Sequence, residues 1–492
     1  MKKTPSSAKI GPLAAAAAGL LSGCLGPAYR RPAVDAPAAF KEAASVSSST
    51  WRAAAPNDAA PKGPWWSLFG DPRLDDLERR VVSSNFTLKQ AEGQYRAALE
   101  LVSANRSDYF PLVTANPSAT RQRAFNGGSG ARPVTNVFDL PLTASWQPDF
   151  WGAVGKSVDV AKASAQSSAA LLENAALSLQ TQLAADYFAL EELDMEEGLL
   201  LSAIDSYAKA LELTRVRYGA GIASQADVAL AQTQLDSTRA QATDVALART
   251  RFEHAIAVLV GRPPAGFSLS TAPISGLPPA IPAFLPAELL ERRPDVASAE
   301  RQAAAANAAI GLARAAFFPS ITLSATGGYE SATFAQWLDW PSRVWSLGAS
   351  AAGTVLDFGR HRAQYRQAQD SYDAAVANYR QTALGAFQQV EDELASLSYL
   401  AEEAVHQDSA VRSAEESLKL EIERYKGGIV SYLDVIQTQN IALTNERNAA
   451  QVLGRRMGAA VALIDAVGGG WDRSALPFVK AAAPDAKAAP KP

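Results

Sequence analysis

The sequence predicts an α+β membrane protein built from a duplicated unit, with four β-strands and long coiled-coil helices in each chain. Three observations predict this fold: an apparent export signal that ends in the chain's single cysteine, two long tracts without proline, and short segments in which apolar and polar residues alternate. The 492 residues and the 48% hydrophobic content allow a large core. The formal charge of -4 gives no basic surface of the kind that binds nucleic acid.

The N-terminus predicts export and lipid attachment. Two lysines precede an apolar stretch at 10–21 that is too short to cross a bilayer as a helix, which is typical of a signal peptide. The stretch leads to Cys24, and the residues before it resemble the lipobox of lipoprotein signals. A free thiol is the alternative, but a lone cysteine cannot form an internal disulfide. We therefore expect cleavage before Cys24 and, because Leu25 follows it in place of an aspartate, sorting to the outer membrane.

Two proline-free tracts predict unusually long helices. The first lies between Pro148 and Pro263 and the second between Pro341 and Pro477. A helix over roughly Gly155 to Tyr218 would be on the order of 100 Å long at 1.5 Å per residue. A solvent-exposed coiled-coil linker is the alternative, and the strands predicted at the start of each long helix disfavour it.

The two halves share unusual residues at a nearly constant spacing, which indicates an internal duplication. Tyr109-Phe110-Pro111 recurs as Phe317-Phe318-Pro319 at an offset of 208, and Arg217-Tyr218 recurs as Arg424-Tyr425 at an offset of 207. A one-residue deletion between the motifs accounts for the slip. The expected segments are a signal peptide at 1–23, a lipid-anchored extended segment at 24–72, a first repeat at 73–262, a proline-rich linker at 263–293, a second repeat at 294–470 and a disordered tail at 471–492.

Each half also contains segments with period-two alternation, which predict two β-strands joined as a hairpin. Strands of about ten residues with one polar and one apolar face suit a tilted transmembrane strand between water and lipid. Packing against soluble structure is the alternative, which the lipid anchor and the aromatic residues at the strand ends disfavour. Four strands leave two unpaired edges, so strands in lipid would require several copies to close the sheet. The side chains expected to line the lumen are Thr143, Ser145, Gln147, Thr322, Ser324, Thr326, Ser346 and Ser350.

Four further motifs are present: Cys24 with Gly26-Pro27 and Tyr29 through Pro32, Trp65-Trp66 with Phe69-Gly70-Asp71-Pro72, Arg292-Arg293-Pro294-Asp295-Val296, and Phe317-Phe318-Pro319. With these motifs the chain resembles the TolC family of outer-membrane factors, in its lipoprotein branch, over nearly its full length. The resemblance implies a homotrimer in which three times four strands form one twelve-stranded barrel, continued by an α-helical coiled-coil tunnel in the periplasm. It also implies a passive exit duct of a tripartite efflux or type I secretion system, with a periplasmic adaptor protein and an inner-membrane pump of the RND, MFS or ABC type as partners.

Two glycine-containing turns, at 217–224 and 424–431, are expected at the periplasmic tip of the tunnel. In each, a serine followed three residues later by an aspartate matches a capping box, so a purely structural role is one interpretation. The resemblance implies that Asp434 belongs to an aspartate ring and that Tyr425 and Asp227 form a latch. The candidate gate residues are Asp434, Asp227, Tyr425 and Tyr218, and the turn and capping residues are Gly219, Gly221, Ser224, Gly427, Gly428 and Ser431.

Two positions depart from the family pattern at this tip. Gln437 stands where a second ring aspartate is often found, and Val430 stands where a basic latch residue can be found. Both departures remove a charge, so they predict a gate that is held more loosely.

Catalysis has no candidate residues. His254, His361 and His406 lie far apart in helical tracts without a carboxylate or cysteine at ligand spacing, and no glycine-rich phosphate loop is present. We therefore expect no enzyme activity, no metal and no cofactor beyond a covalent lipid at Cys24. A pore-less lipoprotein scaffold is the alternative function, which the alternating hairpins disfavour.

Overall fold

The computed structural model describes residues 26–42, 64–123, 134–279 and 292–469. The predicted signal peptide, Cys24 and the predicted tail lie outside these ranges. The chain divides into two compact units, which we name the sheet unit and the helical unit. The sheet unit comprises Met1–Ala33, Gln94–Ala169 and Ser298–Arg380, and the helical unit comprises Val34–Gly93, Ala170–Ala297 and Gln381–Pro492.

The two halves of the chain contain the same series of elements. The first half contains α1 (Pro72–Ser84), α2 (Phe86–Ser107), β1 (Leu112–Ala115), β2 (Ser118–Arg123), β3 (Val134–Trp146), α3 (Ala153–Gly219) and α4 (Gln225–Leu259). The second half contains α5 (Pro294–Ala315), β4 (Ser320–Ser331), β5 (Arg343–Ala352), α6 (Arg360–Lys426) and α7 (Tyr432–Ala466). Short 3-10 helices cover Trp65–Phe69, Pro264–Gly266, Phe334–Gln336 and Trp340–Ser342.

The long helices of the two halves match in length. α3 and α6 each contain 67 residues, and α4 and α7 each contain 35. The predicted long helix between Gly155 and Tyr218 is therefore present and is slightly longer than expected. In the described part of the chain, no helix combines the length and the apolar character needed to cross a membrane.

The strands form one antiparallel sheet in the sheet unit. β3 pairs with β4, β4 pairs with β5, and both β1 and β2 pair along the other side of β3. β1 and β2 occupy one strand position, which is interrupted at Asn116-Pro117 because proline has no amide hydrogen for the ladder. This break lies in the predicted strand whose alternation is less clean than that of the others.

The motif Trp65–Asp71 packs inside the helical unit. Trp65 is 1% exposed, and the ring of Phe69 lies 4.8 Å from that of Phe188 on α3. Asp71 caps α1 by accepting the amide hydrogen of Arg73, and it also accepts the hydroxyl hydrogen of Tyr187 at 2.6 Å. The aspartate thus joins the start of α1 to α3.

The motif at Arg293 holds the end of the last helix in the same unit. The Arg293 guanidinium donates to the carbonyl oxygen of Ala466 at 2.9 Å and to Gln389 on α6 at 2.7 Å, while Asp295 binds its other edge. A cation at a helix C-terminus satisfies a carbonyl that has no partner within the helix. The proline-rich connection therefore ends in a residue that fixes α6 and α7.

Candidate functional site

The first candidate site is the polar face of the sheet. Directly opposed residues of antiparallel strands share a face, and the register opposes Thr143 to Thr326 and Ser145 to Ser324. The hydroxyl oxygens of Thr143 and Thr326 lie 3.3 Å apart. The register brings seven of the eight predicted lumen residues onto this face, namely Thr143, Ser145, Thr322, Ser324, Thr326, Ser346 and Ser350, while Gln147 follows the last residue of β3.

The opposite face of the sheet is apolar and exposed in the single chain. Trp345 is 78% exposed and Leu347 is 75% exposed, and both lie on β5 at the edge. An apolar face of this kind is rare on a protein surrounded by water and suits a lipid environment. Its members on the three long strands are Leu140, Leu142, Ala144, Trp146, Ile321, Leu323, Ala325, Trp345, Leu347 and Ala349.

The second candidate site is the pair of helix-helix turns in the helical unit. Gly221 and Gly428 have φ angles of 74° and 73°, a left-handed conformation that glycine adopts without strain. In each turn the amide that follows this glycine donates at 2.9 Å to an arginine carbonyl, that of Arg217 in the first turn and Arg424 in the second. These are the bonds of a Schellman motif, so both long helices end in the same way.

Both turns lead into a capping box. The amide and hydroxyl groups of Ser224 donate to Asp227 at 2.8 Å, and those of Ser431 donate to Asp434 at 3.0 and 2.7 Å. The hydrogen bonds from Ser431 hold the pKa of Asp434 below its usual value. The structural role predicted for the four residues is therefore present, and it keeps a charged carboxylate at the second turn.

The tyrosines near the turns have different surroundings. The Tyr425 ring packs 5.5 Å from that of Tyr432 and lies under the Arg217 guanidinium at 4.6 Å, whereas Tyr218 is 47% exposed. Within the described residues of this single chain, Asp227 takes its hydrogen bonds from Ser224 and none joins it to Tyr425. The latch between these two side chains therefore stays a prediction.

Sequence reasoning missed two buried ion pairs on α3. Asp194 pairs with Arg249 of α4 at 2.5 Å, and Glu196 pairs with Arg447 of α7, with Nε at 2.5 Å. No local sequence pattern identifies either pair, because the partners lie on different helices that only tertiary packing brings together. The expectation that no carboxylate lies at ligand spacing from a histidine is wrong for His361, whose Nδ1 lies 2.5 Å from Asp357 four residues earlier. Among the described residues, no three histidine, cysteine or carboxylate side chains are grouped to hold a metal ion.

Comparison with known proteins bears on both sites. A family model described as outer membrane efflux protein matches residues 78–262 and 285–469. The pyoverdine export outer membrane protein OpmQ of Pseudomonas aeruginosa is 30% identical over 87% of this chain and 92% of its own length. The solved outer-membrane channel OprN is 29% identical with a TM-score of 0.84, covering 91% of this chain and 99% of OprN. The open-state MtrE outer membrane channel of Neisseria gonorrhoeae is 26% identical with a TM-score of 0.80, covering 91% of this chain and 99% of its own.

These similarities confirm the predicted fold class, the outer-membrane location and the function in efflux. They also confirm that the protein is a channel component and not an enzyme, in a family that needs no cofactor. The chain belongs to the outer membrane efflux protein family, the TolC-type channels, and serves as an outer-membrane exit duct that works with an efflux pump.

Proposed function

We propose that three copies of the chain close one cylinder of twelve strands in the outer membrane. The observation that carries this proposal is the amphipathic sheet with two open edges. The strand position of β1 and β2 at one edge and β5 at the other each pair with a single neighbour within the chain. Because an unpaired backbone group in hydrocarbon costs several kcal/mol, the edges of neighbouring copies must pair.

In this trimer the hydroxyl-rich face lines a water-filled lumen and the apolar face contacts lipid. The predicted lumen residues of the three long strands are small and uncharged, and the same face also carries Asp139 opposite Glu330, which makes one end of it acidic. We infer that a lipid on Cys24 adds a second membrane attachment to each copy. Diffusion through the lumen is passive.

The energy for export comes from the partner proteins. We propose a periplasmic adaptor protein that joins the tunnel tip to an inner-membrane pump of the RND, MFS or ABC type. Membership of an efflux family supports a pump partner, and the long paired helices α3/α4 and α6/α7 offer the extended surface on which an adaptor could pack.

We further propose that the two tip turns form a gate in the trimer. Three copies of Asp434 would bring like charges together at the closed end, and Tyr425 would donate to Asp227 of a neighbouring copy. The exposed position of both turns supports this role. Val430 and Gln437 supply no charge, so few interactions would need to break on opening.

Trimer migration and ion conductance test the proposal together. Unheated protein should migrate on a denaturing gel as a trimer that heating dissociates, and planar bilayers should show ion conductance. Asp227→Ala and Tyr425→Phe should each raise the conductance, because each removes one half of the latch. Unchanged conductance in both variants would refute the latch, and a trimer without conductance would instead favour the pore-less scaffold.

A further inference from the structure

Helices α4 and α7 pack in parallel with one fixed register. Gln234 and Asn440 exchange two side-chain hydrogen bonds, at 2.7 and 3.2 Å, and Gln241 accepts one from Arg447 at 3.0 Å. The partners in the two pairs are seven residues apart on both helices, which is a heptad repeat of polar contacts. Polar pairs at such positions specify register, because a slip leaves them without partners.

The second of these contacts extends to a third helix. Arg447 of α7 also binds Glu196 of α3, whose side chain is 5% exposed, and all three residues lie in the helical unit. α3 and α4 form the hairpin of the first half, which ends in the turn at Gly221. α7 belongs to the hairpin of the second half and begins beside Asp434. Arg447 therefore joins the second hairpin to both helices of the first.

We propose that this three-residue contact, the Arg447 clamp, is a restraint on gate opening within each copy of the chain. The proposal rests on the proposed function of the tip as a gate. Any displacement of α7 along or away from α3 and α4 must break the bonds to Glu196 and Gln241 at once. It also separates a buried carboxylate from its counter-ion, which is unfavourable in a site with little water. The clamp thereby stabilises the arrangement in which Asp434 is held at the closed end.

The chain contains a matched control on the same helix. Arg455 of α7 pairs with Glu403 of α6 at 2.5 Å, and the side chains are 54% and 45% exposed. Glu403 occupies the position of Glu196 in the second repeat, at the offset of 207. Since α6 and α7 belong to one hairpin, this pair stays intact when the hairpin moves as a whole.

Conductance of purified protein in planar bilayers tests the clamp. Arg447→Gln and Glu196→Gln should each give a several-fold rise in mean conductance, while Arg455→Gln should match the unmodified protein. Thermal dissociation of the trimer, measured alongside, separates loss of assembly from opening. The charge-swapped double variant Glu196→Arg with Arg447→Glu should return conductance toward the starting value, which a general loss of stability would not do.

The outcomes distinguish the clamp from the gate itself. If Asp434→Ala raises conductance and Arg447→Gln behaves like Arg455→Gln, the clamp is wrong and the gate stands. If neither Asp434→Ala nor Tyr425→Phe changes conductance but Arg447→Gln does, the tip gate is wrong and Arg447 restrains another part of the path. If a single variant fails to form trimers, the charge-swapped double variant decides the question. A rise in conductance of the double variant, once it has assembled, would overturn the clamp.

Discussion

The two halves of the chain fold into matching helices, yet α4 and α7 bury very different numbers of residues. Each has 35 residues and begins with a capping box, but α4 buries six residues and α7 buries fifteen. α4 instead exposes Leu230, Leu247 and Val258. Duplication has preserved the backbone and its termini, while the side chains have adapted one helix to the interior and the other to a surface.

The buried and exposed ion pairs give the largest expected difference between the halves. Asp194→Ala should destabilise the protein by about 3–5 kcal/mol, because it removes the nearer of the two carboxylates that pair with the buried Arg249, the other being Glu253 at 3.8 Å, and leaves the amide of Ala272 without its acceptor. Glu403→Ala removes an exposed pair and should cost about 1 kcal/mol or less. Chemical denaturation of the two variants measures both losses of stability. Equal losses would contradict the expected difference between a buried and an exposed ion pair.

A matched pair of positions, one buried on α7 and one exposed on α4, gives the next largest expected difference in stability. Met457 of α7 is 3% exposed, and its counterpart on α4 at the offset of 207 is Thr250, which is exposed. Met457→Ala should cost about 2–5 kcal/mol through the cavity it leaves, whereas Thr250→Ala should change stability by about 0.5 kcal/mol or less. The midpoints of chemical denaturation measure the loss of stability in both variants. A larger loss in Thr250→Ala than in Met457→Ala would contradict this prediction.

Replacing the serine of either capping box should reduce local stability by the same amount. Ser224→Ala and Ser431→Ala each remove a hydroxyl that donates to the paired aspartate, and each should cost about 1 kcal/mol of local stability. Hydrogen exchange of the first turns of α4 and α7 reports this directly. A clear difference between the two helices would show that the repeats are equivalent in sequence only.

The smallest effect concerns alkaline pH. Burial raises the pKa of Tyr432 to about 12, and its counterpart on α4 is Gln225, which does not titrate. Since the pKa in the folded state lies above the ordinary tyrosine value of 10.0, the stability gained from the neutral phenol is complete below pH 10 and is lost as the pH approaches 12. Melting temperatures measured from pH 8 to 11 should fall less steeply in Tyr432→Phe than in the unmodified protein, and parallel curves would contradict the burial effect.

Local patterns in the sequence were sufficient to predict the elements. Proline-free tracts gave the long helices, alternation gave the strands and their polar face, and Gly-x-x-Ser-x-x-Asp gave the turns with their caps. These features depend on near neighbours in the chain, so the sequence displays them directly. The family resemblance was confirmed by the comparisons, while the gate and lumen roles remain predictions.

Contacts between distant segments were not predictable in the same way. Nothing local to Arg447 identifies Glu196 as its partner, because the choice depends on how three helices pack. The interruption of the first strand at Pro117 was visible as weak alternation, but its pairing with β3 on both sides of the break was not. Tertiary packing decides both features.

Accessibility along β5 tests the central claim that the sheet separates water from lipid. Single cysteines would replace Ser346, Leu347, Ala349 and Ser350 in a chain whose only native cysteine is Cys24. We predict that the cysteines at Ser346 and Ser350 react with a polar, membrane-impermeant thiol reagent in outer-membrane vesicles, while those at Leu347 and Ala349 are protected until detergent is added. Equal reactivity at all four positions would contradict the account.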